Sequence, residues 1–193
     1  MCIRDSFPYS VGQEPLSYSQ FTTGRPASDQ ANGIPEPVGD ERFVSRYLDG
    51  PNGPLYPFGW GLSYTQFSYS PVTLSATQIS LASANADRDR NKGLLKVGVD
   101  VKNTGFVAGT EVVQLYIRNK FASLEQPIRE LKGFQRVALA PGEQKHVEFT
   151  LGFNELAFYN AKAERVMEPT QYRVFVGGSS RATEYGDVEI ASR

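Results

Sequence analysis

"LLKVGVDVKNTG", residues 94–105, alternates strictly: Leu95, Val97, Val99 and Val101 fall on one side of an extended chain, and Lys96, Asp100 and Lys102 on the other. Side chains of a strand point to opposite faces with a period of two, so one face of this segment is made for burial and the other for water. The "NTG" at residues 103–105 then supplies a turn. The same period recurs on the C-terminal side. "EVVQLYIRN" (111–119) sets Val113, Leu115 and Ile117 on one side, and "RELKGFQRVAL" (129–139) carries a strand around Phe134 and Val137. "APGEQ" (140–144) is a turn with Pro141 and Gly142. "KHVEFTL" (145–151) buries Val147, Phe149 and Leu151 and exposes His146 and Glu148. "TQYRVFVGGSS" (170–180) buries Tyr172, Val174 and Val176, and "DVEI" (187–190) closes the series. With "VTLSATQISL" (72–81) these make about seven strands at short spacing, and no amphipathic helix of useful length appears. That pattern predicts an antiparallel β-sandwich.

The composition changes near residue 70. Residues 1–70 hold 12 of the chain's 23 aromatics and no lysine; the first is Lys92. "VGQEPLSY" (11–18) predicts a short strand. Residues 20–54 are polar and full of turn signals, "GRP", "NGIPEP" and "GPNGP". Only "DERFVSRYLD" (40–49) interrupts them, where Asp40 could cap a single helical turn. So long an irregular stretch is uncommon inside a compact domain. Its aromatics need something to pack on, so the stretch is expected to wrap over a larger neighbour. It ends in "PLYPFGWGLSY" (54–64), where Pro57 fixes the chain before a turn and Gly59 and Gly61 let the backbone pass close to another surface.

A chain of 193 residues with 40% apolar content and net charge −1 is globular and long enough for one ordinary domain plus part of another. Twenty basic residues against 21 acidic ones give no basic field, which argues against nucleic acid and anionic membrane as partners. The single Cys2 allows no intrachain disulfide, and no apolar run approaches the length of a transmembrane helix. "MCIRDS" has neither the charged region nor the apolar stretch of a secretory signal.

No strong catalytic constellation is legible. The one histidine, His146, sits on the polar face of a strand, and with Cys2 far away it makes no zinc site. "FGWGLS" has glycines but no following helix to seat a phosphate. "ADRDRN" (86–91) reads as a solvated hairpin tip. Carboxylates can act in pairs, yet Glu14, Glu36, Asp40, Glu41, Asp49, Glu143 and Glu168 fall in turns or on solvent faces. No catalytic residue, metal ligand or cofactor is therefore assigned.

Five blocks carry a resemblance: "SVGQEPLSYSQFTTGRP", "RFVSRYLDGPNGPLYPFGWGLSYTQFSYS", "VKNTGFVAGTEVVQLYIRN", "PIRELKGFQRVALAPGEQKHVEFTL" and "RVMEPTQYRVFVGGSS". In this order they resemble the C-terminal end of glycoside hydrolase family 3, of the periplasmic β-glucosidase type. The resemblance implies a (β/α) barrel, then an α/β sandwich domain, then a fibronectin type III-like (immunoglobulin-like) β-sandwich. Residues 7–69 would be the irregular C-terminal remnant of a truncated α/β sandwich domain with its linker, and residues 70–193 the fibronectin type III-like domain. Residues 1–6 match nothing in the family and resemble translated adapter sequence, a non-native lead.

The family hydrolyses terminal β-D-glucosyl residues with retention, through a barrel Asp nucleophile and a carboxylate acid/base supplied beyond the barrel. Both regions lie upstream, so the resemblance assigns this chain no catalytic residue, and the chain by itself is expected not to hydrolyse aryl β-glucosides. The implied partners are the parent's upstream catalytic domains, a β-glucoside or oligosaccharide reached through the parent, and a second copy in a homodimer. The implied location is periplasmic or secreted. "PLYPFGWGLSY" resembles a family hallmark in which Tyr is usual at the Trp60 position. Two readings of Trp60 stay open, an anchor that clamps the fibronectin-like domain to the catalytic body and an aromatic platform for substrate. Arg25 in "TTGRP" could reach a sugar hydroxyl or pair with a carboxylate of the body. The rival readings are a stand-alone fibronectin-like module that binds carbohydrate or protein, and a purely structural spacer or dimer contact.

Overall fold

The computed structural model describes residues 6–28, 43–48, 50–88 and 92–192. In chain order the strands are β1 (Phe67–Tyr69), β2 (Thr73–Leu74), β3 (Gln78–Ser80), β4 (Leu95–Asn103), β5 (Gly109–Asn119), β6 (Glu130–Leu139), β7 (Gln144–Leu151), β8 (Phe158–Tyr159), β9 (Arg165–Val166), β10 (Thr170–Gly177) and β11 (Glu184–Ala191). Two short helices, α1 (Leu81–Ala86) and α2 (Phe153–Leu156), cross between them. None is long and apolar enough to cross a membrane.

The alternation of residues 94–105 is realised as β4. It pairs antiparallel with β7, Val97 opposite Phe149 and Val99 opposite Val147, while β1 and β2 share its other edge. The second sheet runs β3-β11-β10-β5-β6. Between the two lie Val97, Val99 and Val101 from one side and Val113, Leu115, Val174 and Val176 from the other, all essentially inaccessible to solvent. Burying each such side chain contributes about 1.5–3 kcal/mol, which is the main force holding the sheets face to face. Asn103 closes one end of this core. Its side chain uses all four of its hydrogen-bonding positions, accepting from Thr65 Oγ1 (2.6 Å) and Gly105 N (3.0 Å) and donating to Val107 O (2.9 Å) and Leu139 O (3.1 Å).

The structure departs from the sequence reading in four places. Residues 72–81 do not form one strand. β2 pairs with β4 in the first sheet, and after Ser75–Ala76–Thr77 the chain crosses to the second, where β3 pairs parallel with β11. A segment with apolar residues at Val72, Leu74 and Ile79 can satisfy both sheets by switching, and Ser80 Oγ then accepts from Ser83 N to cap α1. Residues 11–18 hold a 3-10 turn at Val11–Gln13 rather than a strand. Gln13 is buried and its amide supplies the bonds a ladder would have given: Oε1 accepts from Tyr9 N, and Nε2 donates to Pro51 O (2.7 Å). Asp87, read as part of a solvated tip, is buried instead and accepts from Lys92 N (2.7 Å) and Phe153 N (3.2 Å), tying the entry of β4 to α2. Tyr116, on the side of β5 opposite Val113, Leu115 and Ile117, is buried as well, on the outer face of the second sheet. The proposed cap at Asp40, and Glu36, Glu41 and Asp49, lie outside the described residues.

Candidate functional site

The outer face of β5 and β10 is not left to water. Tyr116 and Phe175 there are fully buried, because Tyr18 and Phe58 of the N-terminal segment lie over them. Phe58 stacks on Tyr18 with ring centroids 4.2 Å apart, and Tyr18 meets Tyr116 edge-on at 5.9 Å. Such contacts add to the apolar burial itself. Arg129, also buried, caps the cluster with its guanidinium 3.8 Å from the centre of the Phe175 ring.

Gln114 fastens the "PFGWG" run to this face. Its Nε2 donates to Gly59 O (3.1 Å) and Gly178 O (2.8 Å), and its Oε1 accepts from Tyr116 Oη (2.5 Å). Gly59 is required twice over. Its φ of 78° lies in the left-handed region, and a Cβ there would stand 2.0 Å from Gln114 Oε1. Ser180 N donates to Phe58 O (2.8 Å), so the loop after β10 is tied to the same run.

Beyond this clamp a cleft of about 340 Å³ opens between residues 60–61, β1, the start of β5 and the loop from β10 to β11. Trp60 lies at its edge with 37% of its surface exposed, its ring 6.0 Å from Tyr56. Inside, Tyr69 Oη donates to Glu111 Oε1 at 2.7 Å. Burial holds the Glu111 carboxyl above the ordinary carboxylate range, partly offset by the bond from Tyr69. Burial, and then the neighbouring Glu111 charge, push the Tyr69 phenol far up. A Cβ on Gly178 would come within 2.6 Å of Glu111 Oε1, so the glycine leaves the carboxyl its room. Arg181 borders the same cleft, but its guanidinium lies against Gly53, outside the lining that holds Glu111, where a Cβ on that glycine would stand 2.5 Å from Arg181 Nη1. The cleft therefore presents an aromatic surface and an acceptor to a molecule entering it.

The two residues singled out as substrate contacts are not brought together. Trp60 lines this cleft, whereas Arg25 is exposed and sits 5.5 Å from the centre of the Phe43 ring. A wider groove of about 690 Å³ runs between the N-terminal segment and the sandwich, lined by Tyr18, Phe21, Tyr47, Ile128 and Arg181 among others. His146 is exposed and its Nδ1 lies 2.7 Å from Asp100 Oδ1, which makes it half of a surface pair across β4 and β7. Among the described residues no group of three or more His, Cys, Asp or Glu is placed to hold a metal.

Sequence reasoning missed Glu111, Tyr69, Gln114, Gly178 and Arg181. The one available signal was Gln114, a polar residue between Val113 and Leu115 on a strand face read as solvent-facing. Nothing local marks Glu111 or Arg181, since their setting comes from strands far apart in the chain.

Residues 111–180 match the fibronectin type III-like domain family. The chain is 41% identical over 185 residues to the periplasmic beta-glucosidase of Salmonella typhimurium, a match that takes in 96% of this chain and 22% of that protein. It is 40% identical over 185 residues to a beta-xylosidase of Formosa agariphila, again over 96% of this chain and 22% of the relative. The crystal structure of a beta-glucosidase from Listeria innocua in complex with glucose superimposes with a TM-score of 0.82 at 39% identity, over 98% of this chain and 24% of that one. The chain thus spans roughly a fifth to a quarter of the length of these proteins. By sequence and by fold, it belongs to the C-terminal, fibronectin type III-like part of glycoside hydrolase family 3.

Proposed function

We propose that this chain is the C-terminal accessory part of a retaining β-glucosidase, acting by packing on the catalytic body of its parent. The observation that carries this reading is the distribution of exposed apolar side chains before β1. Tyr9, Val11, Phe21, Leu48, Leu62 and Tyr64 all stand open to solvent, and exposed apolar groups gathered in one region mark a surface made to meet another. Residues 7–69 are then the tail of the parent's α/β sandwich domain, and residues 70–193 its fibronectin type III-like domain. Retention needs two carboxyl groups about 5 Å apart across the glycosidic bond. In this reading both come from the upstream domains, and this chain holds the region that abuts them. Trp60 and Arg25 are this chain's candidates for reaching a terminal β-D-glucosyl substrate. The parent acts in the periplasm or outside the cell, as the name of the Salmonella relative suggests.

The test is a fusion of this chain, from residue 7, behind the upstream four-fifths of the Salmonella enzyme in place of its own C-terminal part. The fusion is expected to hydrolyse an aryl β-glucoside, while the chain alone shows no turnover above buffer. A folded but inactive fusion, or turnover by the chain alone that survives contaminant controls, overturns the proposal.

A further inference from the structure

We propose that the cleft bounded by Trp60, Tyr69, Glu111, Gly178 and Arg181 is a saccharide-binding site of this chain itself, shaped for one or two β-linked pyranose units. Its volume of about 340 Å³ lies in the range of small-molecule sites. A pyranose has two kinds of surface, an apolar face of C–H groups and a rim of hydroxyls, and the cleft answers both. The Trp60 indole, 37% exposed at the edge, offers the large flat surface on which such a face is buried.

The Tyr69–Glu111 pair offers the acceptor. Tyr69 occupies Glu111 Oε1 at 2.7 Å, and among the described residues no cation pairs with the carboxylate and nothing donates to its second oxygen. A half-buried carboxylate short of donors is costly, and a sugar hydroxyl is a neutral donor that relieves it through a charge-assisted bond.

The charges also choose between ligand classes. Glu111 and Glu184 both line the cleft and oppose an anion. A neutral polyhydroxylated ring brings hydroxyl donors to both without that repulsion. Gly178 shows that the arrangement is built, since any side chain there would displace the Glu111 carboxyl.

The choice of glucose among pyranoses rests on the β-glucosidase reading above; the cleft's chemistry does not. Trp60 is the only tryptophan in the chain, so indole emission, excited selectively over the tyrosines, reports on this site alone. The full chain is titrated with methyl β-D-glucopyranoside, cellobiose and, for contrast, methyl β-D-galactopyranoside, up to about 50 mM, a span that reaches millimolar affinity. A saturable change in Trp60 emission is expected. Glu111→Ala and Gly178→Ala are expected to weaken it about tenfold or more, as loss of a charge-assisted bond does. Tyr159→Ala, on the remote β8–β9 hairpin, leaves it unchanged. Circular dichroism confirms that each variant is folded. No saturable change with any of the sugars, or a change equal in the wild type and the folded Glu111 and Gly178 variants, overturns the inference. Saturation by the galactoside alone keeps the site and discards glucose. Binding by the chain beside an inactive fusion would sink the β-glucosidase reading and leave the cleft standing, and the converse result would do the opposite.

Discussion

The sandwich and the segment that precedes it are held by different means. In β4 and β7 one face is buried, in β10 both are, and the backbone is paired along its length, so Val97, Val147 and Val174 owe their places to many neighbours at once. The described residues before β1 have almost no ladder. Isolated bridges join Phe7 to Tyr56 and Pro26 to Ser45, lone backbone bonds run from Ser180 N to Phe58 O and from Ile128 N to Gln20 O, and single side chains add to them: Gln13 on Pro51, Gln114 on Gly59, and Phe58 stacked on Tyr18. The aromatic residues are as dense there as anywhere, yet many stay exposed. Aromatic content signals burial, but it does not say whether the burying partner is in the same chain.

The contrast is sharpest at two leucines. Leu115 is fully buried in the core and Leu62 is 78% exposed. Leu115→Ala is expected to destabilise the sandwich by about 2–5 kcal/mol, and Leu62→Ala to stay within about 0.5 kcal/mol; urea unfolding of both variants measures the gap. Equal losses would mean that the segment shares the sandwich's core.

Phe58 and Trp60 make a finer comparison inside the segment. Phe58 is half-buried on Tyr18, while Trp60 is exposed at the cleft edge. Phe58→Ala is expected to cost about 1.5–3 kcal/mol and Trp60→Ala no more than about 0.5 kcal/mol in this chain. A large melting shift for Trp60→Ala would mean that Trp60 also packs within this chain, whereas its reading as a clamp to the catalytic body is tested by the same change in the fusion.

Gln114→Ala should loosen the segment without opening the sandwich, since the bonds from its amide to Gly59 O and Gly178 O and from Tyr116 Oη are removed. The expected cost is about 1–3 kcal/mol. Limited proteolysis checks where it falls. Cleavage before about residue 70 should speed up, leaving a resistant fragment that begins there. First cuts within β4 to β11 would break the comparison.

The smallest effects are in pH dependence, and the two carboxylates differ in sign. Hydrogen bonds from Arg173 hold Asp187 below its ordinary range. Its contribution is therefore present at neutral pH and fades as pH falls through that lowered value, so the stability gap between wild type and Asp187→Asn should narrow on acidification. Glu111 is raised by burial, so the wild type loses stability as pH climbs from the unfolded value near 4.3 through the raised one. Glu111→Gln does not titrate, and its melting temperature should gain on the wild type between pH 4 and pH 7.

The sequence made the sandwich legible because period-two alternation is a local property. Residues 95–101, 145–151 and 172–176 each declare a buried face without reference to any other segment. It was silent on the second use of β5 and β10, because Tyr116 and Phe175 look like part of a solvent face until Tyr18 and Phe58 are laid over them. The sheet switch at residues 75–77 was hidden for a related reason, since either sheet accepts that pattern. The cleft was least legible of all. Trp60 stood out as a residue type, but Glu111 and Arg181 acquire meaning only through a loop 64 positions from Gln114 being tied to it.

Asn103 shows how such closure restricts the history of a sequence. Its amide has two donors and two acceptor positions, and Thr65, Gly105, Val107 and Leu139 take all of them. Aspartate would fit the space and keep the acceptors, but it would leave two carbonyls unanswered and bring a charge into the interior. Glutamine has the right groups on a stem one carbon too long, and leucine has none of them. No single replacement preserves the four contacts, so a lineage can change this residue only after its neighbours have already changed, and drift at position 103 has to wait for drift at position 65.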